Sequence, residues 1–443
     1  MPTDASKDPH SRPSPSAAAE CGCDAVPVGA KGLAPLASAL AALRDSCPLM
    51  PAERVAVSDA AGRVLAEDVH AELDVPPADN SQMDGYCARV TDIGDGAWLP
   101  ISQRIAAGQP ATPLAVASCA RLFTGAEIPD GADVVVMQEE VTLREGEDGT
   151  TLAWLPGPRT RGDNIRVQGR DVSKGNRLLA AGTRLDAAAL GLLYGLLYGQ
   201  GASHVMVRRK VRVALFATGD ELIEPGQPLK PGQIYNSNRV MLSQMLSDFG
   251  AEVVLAPLNV ADTFEATRDA LASAAQQADL IVTCGGVSVG EEDHVRPAIE
   301  ALGSLDLWRL AIKPGKPLAL GRINSPRGDA VRVVGLPGNP VSSWVGGWLF
   351  LRPLLGEMTD CAALRELKRL TVRAAFSART AIRQDHLRVT LAPGSDGKLE
   401  AHAFPDQNSA VLSSCAGAQA LAVIPPHAQL NHGDSVECLW LER

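Results

Sequence analysis

The sequence predicts a multidomain α/β protein: a central, mainly parallel, doubly wound α/β module, a β-rich lid domain, a helical linking domain and a small C-terminal β-barrel. Its 443 residues exceed the usual length of one domain, and 46% of them are hydrophobic, which supports several cores. Over 211–358, apolar runs alternate with helical patterns, as in right-handed βαβ crossovers. Over 54–177 and 361–443, short β-like runs are separated by Gly and Pro instead.

Composition and charge exclude several classes of function. The net charge is −10, from 41 basic and 51 acidic residues, and aromatic residues are 4% of the chain. A nucleic-acid partner would favour a basic surface and stacking platforms, so none is expected. The richest apolar stretches, 185–198 and 344–355, are shorter than the roughly 20 residues that span a bilayer. We therefore expect no membrane partner.

The cysteines and the first residues bear on cellular location. Nine cysteines are scattered along the chain without a Cys-x-x-Cys pair, which argues against a disulfide framework or structural zinc. Residues 1–30 carry Pro, Ser and Ala without an apolar period, and no targeting signal stands out. The expectation is a cytoplasmic protein with a disordered leader.

Changes of pattern divide the remaining chain. We assign 31–57 and 178–210 to the helical linking domain, 58–177 to the lid, 211–358 to the α/β module and 359–443 to the C-terminal β domain, a barrel or a sandwich. In the helix predicted at 185–198, Gly191, Gly195 and Gly199 form one stripe. Such a stripe suits the close approach of another backbone, within the chain or across a dimer; a poorly formed helix is the alternative.

Within the α/β module the predicted elements alternate along the chain. Antiparallel pairing of the shorter strands near 306–323 is the alternative to a wholly parallel sheet. The predicted strands are 211–217, 252–258, 279–284, 306–312, 317–323 and 331–336, and the predicted helices are 239–249, 262–278, 291–302 and 339–358.

The stretch 279–294 is the most informative motif. A short apolar strand runs into Gly285-Gly286, then Ser288 and Gly290, and an acidic segment follows at Glu291–Asp293. Glycines allow close backbone approach to a ligand, and N–H groups at a helix start attract anions. Carboxylates beside such a seat indicate a divalent cation between them and a phosphate. The alternative is a tight turn whose acidic residues only favour the helix dipole.

Three further loops also follow predicted strands directly: 218–221, 313–316 and 336–340. In an open parallel sheet, ligands bind beyond the carboxyl ends of the strands, so these loops are expected to converge. Three carboxylates there suit Mg²⁺, two lysines suit phosphate or oxyanion capture, and a Pro-rich turn at a helix start offers another anion seat. The carboxylates are Glu221, Asp262 and Asp293, the lysines are Lys313 and Lys316, and the turn is Pro337-Gly338-Asn339-Pro340.

Three polar loops in the lid, 79–86, 123–125 and 162–171, indicate a ligand-facing surface, with ordinary Asx turns as the alternative. No Gly-x-Ser-x-Gly elbow, P-loop lysine or dinucleotide fingerprint is present. The histidines of the C-terminal region lack partners at metal-ligand spacing and are interpreted as surface or packing residues. The residues thus indicate nucleotide phosphate and metal, without a covalent nucleophile.

Five motifs, in order along 33–443, resemble the MoeA/gephyrin family of molybdopterin molybdenumtransferases. They are Asp79–Tyr86, Thr218–Leu222, Gly285–Gly290, Lys313–Pro317 and Leu336–Pro340. The resemblance implies a MogA/MoaB-like α/β module and a reaction in which molybdate is inserted into adenylylated molybdopterin with Mg²⁺ assistance and release of AMP. It also implies an elongated homodimer, in which one subunit's cleft and the other's lid form each site, and contact with other enzymes of molybdenum cofactor biosynthesis.

The resemblance also implies roles for individual residues. Arg309 stands where some relatives carry lysine, and Asp262 matches only after a one-residue shift. The implied catalytic residues are Asp84, Thr124, Asp171, Glu221, Asp293, Arg309 and Lys313; the metal ligands are Glu221, Asp262 and Asp293; the substrate-binding residues are Thr218, Gly219, Gly285, Gly286, Ser288, Gly290, Lys316, Pro337, Gly338, Asn339 and Pro340.

Three alternatives remain at this stage. A pterin adenylyltransferase that uses ATP and a nucleotide hydrolase of the CinA type would each need only the α/β module. A non-catalytic, gephyrin-like scaffold would bind an external peptide near the C-terminal β domain.

Overall fold

The computed structural model describes residues 33–45, 47–197, 203–255, 260–287, 293–328 and 330–442. The leader, the end of the strand predicted at 252–258, Gly199, Ser288 and Gly290 lie outside these ranges. Within them, no helix combines the length and apolarity needed to cross a membrane.

A six-stranded sheet forms the centre of the α/β module. Its first four strands are parallel, and Ala319–Asn324 pairs antiparallel with both of its neighbours, as the alternative for 306–323 allowed. Five of the six strands therefore run in the same direction, which agrees with the prediction of a mainly parallel sheet. In spatial order the strands are Glu252–Leu255, Arg212–Ala217, Leu280–Cys284, Ala330–Leu336, Ala319–Asn324 and Gly303–Trp308.

The prediction of one continuous strand at 306–312 is wrong, because two different strands share this range. The observed strand Gly303–Trp308 ends before Arg309, which has a positive φ of 76° and turns the chain out of the sheet. The next strand, Ile312–Lys313, pairs in parallel with Gln384–Pro393 of the C-terminal domain. One apolar run therefore serves two sheets, and periodicity alone cannot reveal such a division.

Both faces of the central sheet are buried, because side chains alternate across a strand. Along Arg212–Ala217, Val213 and Leu215 enter one hydrophobic core while Ala214 and Phe216 enter the other. The helical segments Ser237–Asp248, Pro340–Gly346, Gly347–Leu351 (a π-helical turn) and Arg352–Thr359 cover the first face, and the helices Phe264–Gln277 and Val295–Leu302 cover the second.

Two further helices belong to different cores. Leu36–Arg44 packs Ala39 and Leu43 into the first core of the α/β module, whereas Ala187–Leu197 packs with the segments around residues 57–65 and 205–207. Short helices lie at Val57–Asp59, Gln138–Glu140, Ala362–Arg365 and Ser413–Gly417, and short strand pairs at Leu222–Ile223 with Ile234–Tyr235 and Ala378–Arg379 with Gln429–Leu430.

The lid contains a second six-stranded sheet, with the short helix Val90–Ile93. The β-like runs predicted from the sequence at Val134–Met137, Val141–Leu143 and Leu152–Leu155 correspond to three of these strands. The other three are absent from the prediction: Gly85–Ala88 begins inside the polar loop 79–86, Gly96–Ile105 contains Pro100 and lacks alternation, and Cys119–Leu122 is very short. In spatial order the strands are Val134–Met137, Gly85–Ala88, Cys119–Leu122, Gly96–Ile105, Thr151–Pro156 and Thr142–Glu145.

Strands that precede the lid sheet in the sequence pair antiparallel with strands that follow it. The lid is therefore an insertion whose two ends leave the rest of the chain side by side. The sequence also predicts a β-like run at Val64–Val69, but only Val69 of that run lies in a strand, and Val64 and Leu65 form isolated bridges. The pairs are Ala52–Ala56 with His204–Arg208, Val69–His70 with Arg177–Leu179, and Asn80–Ser81 with Ile165–Arg166.

The C-terminal domain is a closed five-stranded barrel rather than a sandwich. Closure comes from the long strand Gln384–Pro393, which pairs on one side with Leu399–Ala403 and on the other with Ala420–Ile424. The circuit is completed by Ser435–Trp440 and Arg369–Ala374. His402 and His427 are exposed and His386 is fully buried.

Buried His386 should make the stability depend on pH. Burial lowers the pKa of His386 from an ordinary 6.5 to about 4, so the unfolded chain binds more protons between these values. The contribution of neutral His386 to the free energy of unfolding is therefore complete above pH 6.5. It falls as the pH drops towards 4, by roughly 3 kcal/mol at most. Urea unfolding of the parent and His386→Gln at pH 7 and pH 5 tests this. An equal pH dependence in the two proteins contradicts it.

Candidate functional site

A cavity of about 680 Å³ lies beyond the carboxyl ends of three parallel strands, Arg212–Ala217, Leu280–Cys284 and Ala330–Leu336. The loops that follow these strands line it, together with the start of the helix Ser237–Asp248. The predicted residues that it brings together are Thr218, Gly219, Glu221, Asp262, Gly285, Gly286, Asp293, Pro337, Gly338, Asn339 and Pro340. We call this cavity the cleft.

The two central glycines of the cleft permit close backbone packing. Gly285 and Gly286 have φ values of +97° and +63°, which side-chain-bearing residues rarely adopt. A Cβ atom at Gly286 would lie 2.8 Å from Thr218 Oγ1 and 2.9 Å from Val295 Cγ2. The Gly285-Gly286 turn therefore needs glycine for steric reasons, whatever it binds.

Three side chains hold the Pro-rich turn at the cleft wall. Asn238 Nδ2 donates to Gly338 O at 2.6 Å and to Cys284 Sγ at 3.1 Å. Cys284 Sγ donates to Pro337 O at 3.3 Å, and Ser343 Oγ donates to the same carbonyl. Pro340 then begins the helix at its first position, where the missing N–H costs nothing.

Asn238 was not among the predicted residues. The polar run Asn236-Ser237-Asn238, just before the helix predicted at 239–249, was a usable signal. Its Oδ1 atom is buried without a hydrogen-bond partner among the described residues. Cys284, its neighbour, is not suited to nucleophilic attack, because burial raises the pKa of its thiol.

The predicted metal ligands share the cleft without forming a closed ligand set. Asp262 and Asp220 each accept a hydrogen bond from the other's backbone at the carboxylate. Asp220 N donates to Asp262 Oδ2 at 3.3 Å, and Asp262 N donates to Asp220 Oδ1 at 3.4 Å. In the described ranges, no three His, Cys, Asp or Glu side chains are close enough to hold a metal ion. Carboxylate oxygens at one rim nonetheless fit a hard cation that keeps several of its waters.

The predicted cations lie outside the cleft lining. Lys313 Nζ is 3.9 Å from Asp385 Oδ2 of the barrel, and Lys316 contributes its carbonyl oxygen to Leu310 N. Arg309 occupies the positive-φ position at which the chain leaves the sheet. Among the described residues of the lining there is no Lys or Arg, so this part of the cleft is acidic.

In the lid, the structure pairs two of the three predicted residues. Thr124 donates to Asp84 Oδ1 through its N–H at 2.7 Å and through Oγ1 at 2.8 Å. The backbone hydrogen bond, and then the side-chain one, lower the pKa of Asp84. Asp171 lies in another turn, where its N–H donates to Val75 O. None of these three residues lines the cleft of its own chain.

Three family profiles match the chain in order. They are described as the MoeA N-terminal region (domain I and II), over residues 34–196, a probable molybdopterin binding domain, over 214–357, and the MoeA C-terminal region (domain IV), over 371–441. Together they span the lid, the α/β module and the barrel.

Individual relatives agree with these matches. The chain is 37% identical to the molybdopterin molybdenumtransferase of Haemophilus influenzae over 368 residues, which are 82% of this chain and 87% of that one. It is 36% identical to the enzyme of the same name from Nostoc sp. over 376 residues, 82% and 83% of the two chains. The crystal structure of a molybdopterin biosynthesis MoeA protein from Pyrococcus horikoshii superposes with a TM-score of 0.77 at 26% identity, covering 93% of this chain and all of that one.

The order of the three regions and the extent of these similarities agree with the motifs and with the fold. The chain belongs to the MoeA family of molybdopterin molybdenumtransferases.

Proposed function

We propose that this transferase of molybdenum cofactor biosynthesis inserts molybdenum from molybdate into adenylylated molybdopterin and releases AMP. The observation that carries the proposal is the cleft, where Glu221, Asp262 and Asp293 lie around one cavity with a glycine turn and a Pro-rich helix start. Backbone N–H groups at such turns suit phosphate oxygens. The carboxylates, by contrast, require a cation between themselves and any phosphate.

Mg²⁺ is the proposed cation, with Glu221, Asp262 and Asp293 as the residues that would hold it. When bound, Mg²⁺ would neutralise the phosphoanhydride and polarise it for cleavage. The chain's own contribution is to orient the substrate: the turn at Pro337, fixed by Asn238, Cys284 and Ser343, would keep its position as the nucleotide binds.

We further propose a homodimer in which one subunit's lid covers the other subunit's cleft. This arrangement would bring Asp84, Thr124 and Asp171 to a cleft, since they do not line that of their own chain. The glycine stripe supports such contact, because a Cβ atom at Gly191 or Gly195 would have no atom within 4 Å. The division into domains, the cytoplasmic location and contact with other enzymes of the pathway stay predictions.

The test is AMP release from adenylylated molybdopterin, measured with and without molybdate and Mg²⁺. The proposal expects AMP release to depend on both. The adenylyltransferase alternative expects pyrophosphate from ATP and unmodified molybdopterin, and no AMP release under the first conditions. Pyrophosphate formation from ATP, without AMP release from adenylylated molybdopterin, would contradict the proposal.

Lys313→Ala should raise the molybdate concentration that gives half-maximal AMP release by about tenfold, because one charged contact to an oxyanion is lost. The expectation assumes that Lys313, with Arg309, collects molybdate near the cleft. Lys398→Ala, at an exposed barrel turn, is the matched control. An unchanged molybdate dependence in Lys313→Ala would exclude this role.

A further inference from the structure

Two arginines of the lid stack on the same phenylalanine. Arg104 and Arg121 are register partners in neighbouring parallel strands, so they project from the same face of the sheet. The Cζ atoms of Arg104 and Arg121 lie 4.5 Å and 4.9 Å from the ring centroid of Phe123. We call Arg104, Arg121 and Phe123 the arginine cluster.

The two guanidinium groups differ in their remaining contacts. Arg121 also stacks on Tyr86 and donates to Gly85 O at 3.2 Å and to the Gln138 side chain. The Arg104 side chain is exposed and, among the described residues, forms neither a hydrogen bond nor an ion pair. Like charges on adjacent strand positions repel, and an anion would relieve that repulsion. Arg104 therefore presents a planar donor edge whose orientation is set by stacking.

The arginine cluster lies beside the lid residues already assigned to the site. Phe123 directly precedes Thr124, which donates twice to Asp84. The positive charge of Arg121 also contributes to lowering the pKa of Asp84, after the two Thr124 hydrogen bonds. The cluster and the Asp84–Thr124 pair thus occupy one rim of the lid.

The charge of the cleft is complementary to that of the arginine cluster. The described lining of the cleft contains three carboxylates and neither Lys nor Arg. A diphosphate ester in such a cleft needs more positive charge than backbone N–H groups supply. Exposed guanidinium groups on a covering lid would provide it in the bidentate form that phosphate oxygens favour.

We propose that Arg104, oriented by Phe123 and flanked by Arg121, binds a phosphate oxygen of the nucleotide-bearing substrate when the lid covers a cleft. This assignment rests on the proposed function. Arg104 is the contact residue, and Phe123 and Arg121 are positioning residues.

Arg104→Gln and Arg104→Lys test the assignment, with Arg144→Gln as the matched control. Arg144 is also exposed and stacks on an aromatic ring, with its Cζ atom 4.1 Å from the Trp98 centroid. Trp98 lies six residues before Arg104 in the same strand, about 20 Å away. The control therefore removes the same charge from the same lid without altering the arginine cluster.

With a parent protein that releases AMP, the readout is the KM for adenylylated molybdopterin. We expect a rise of about tenfold to a hundredfold in Arg104→Gln, a smaller rise in Arg104→Lys and none in Arg144→Gln. Equal KM values for the two glutamine variants overturn the assignment. The same result is expected if Arg104 binds an acidic protein partner and not the substrate. Circular dichroism verifies that each variant is folded. If Arg104→Gln does not fold, Arg104→Lys, which keeps the charge, is compared with the parent in its place.

If the parent releases no AMP, the proposed function fails and calorimetric titration with inorganic pyrophosphate decides the phosphate site separately. Weaker binding in Arg104→Gln than in Arg144→Gln supports it. Equal binding, or no binding by the parent, overturns it.

Discussion

Asp293→Asn is expected to reduce AMP release by about a hundredfold or more, while the fold is retained. Asp293 lines the cleft with Glu221 and Asp262, so the substitution removes one of the three charges proposed to hold Mg²⁺. The amide keeps the shape of the carboxylate, which makes a packing defect a poor explanation for any loss. The measurement is the rate of AMP release over a range of Mg²⁺ concentrations.

Asp269→Asn is the matched control for this experiment. Asp269 is an exposed residue of the helix Phe264–Gln277, where it pairs with Arg268 on the outer surface. The control removes the same charge without touching the cleft, and we expect it to behave as the parent. AMP release by Asp293→Asn at the parent rate would show that Asp293 is not central to the reaction.

Mixing two inactive variants should restore activity. In a dimer of Asp84→Asn with Asp293→Asn, one site would combine an intact cleft with an intact lid, and the other would carry both defects. Random assembly of such dimers would return about a quarter of the parent activity, because half the dimers are mixed and each has one intact site. The measurement is AMP release after the two proteins are co-expressed in equal amounts and purified through one tag that both carry, so that all dimers are retained.

The two variants measured alone give the baseline for the mixture. An Asp84→Asn protein that is as active as the parent would place Asp84 outside the reaction. Activity of the mixture no higher than that of the two inactive variants would mean that cleft and lid act within one chain. That result would contradict the shared site while leaving the cleft assignments in place.

Local chemistry made much of the central module predictable. The run Leu280–Cys284 is buried on both faces, and its apolar sequence indicated that directly. The helix predicted from Asp262 begins at Phe264, because Thr263 Oγ1 accepts the Ala266 N–H and caps it. Since polar loops follow parallel strands, the meeting of Glu221 and Asp293 at one cavity also followed from the pattern.

The surroundings of the predicted cations depended on long-range pairing. The stretch around Lys313 has the composition of a sheet strand, but it pairs with Gln384–Pro393, more than 70 residues later. That pairing places Lys313 beside Asp385. Asn238 was missed for a similar reason, because its partner Gly338 lies 100 residues away.

From the sequence alone came the family resemblance, the alternation of strands and helices, and the loops that carry the carboxylates, because hydrophobic periodicity and turn chemistry are local properties. Only the tertiary structure decided that Ala319–Asn324 pairs antiparallel with both of its neighbours and that Arg309 follows the end of the edge strand. It also decided that the C-terminal strands close into a barrel and that Arg104 and Arg121 share Phe123. These features depend on which distant strands pair and in what register, and register is set by packing across the whole fold.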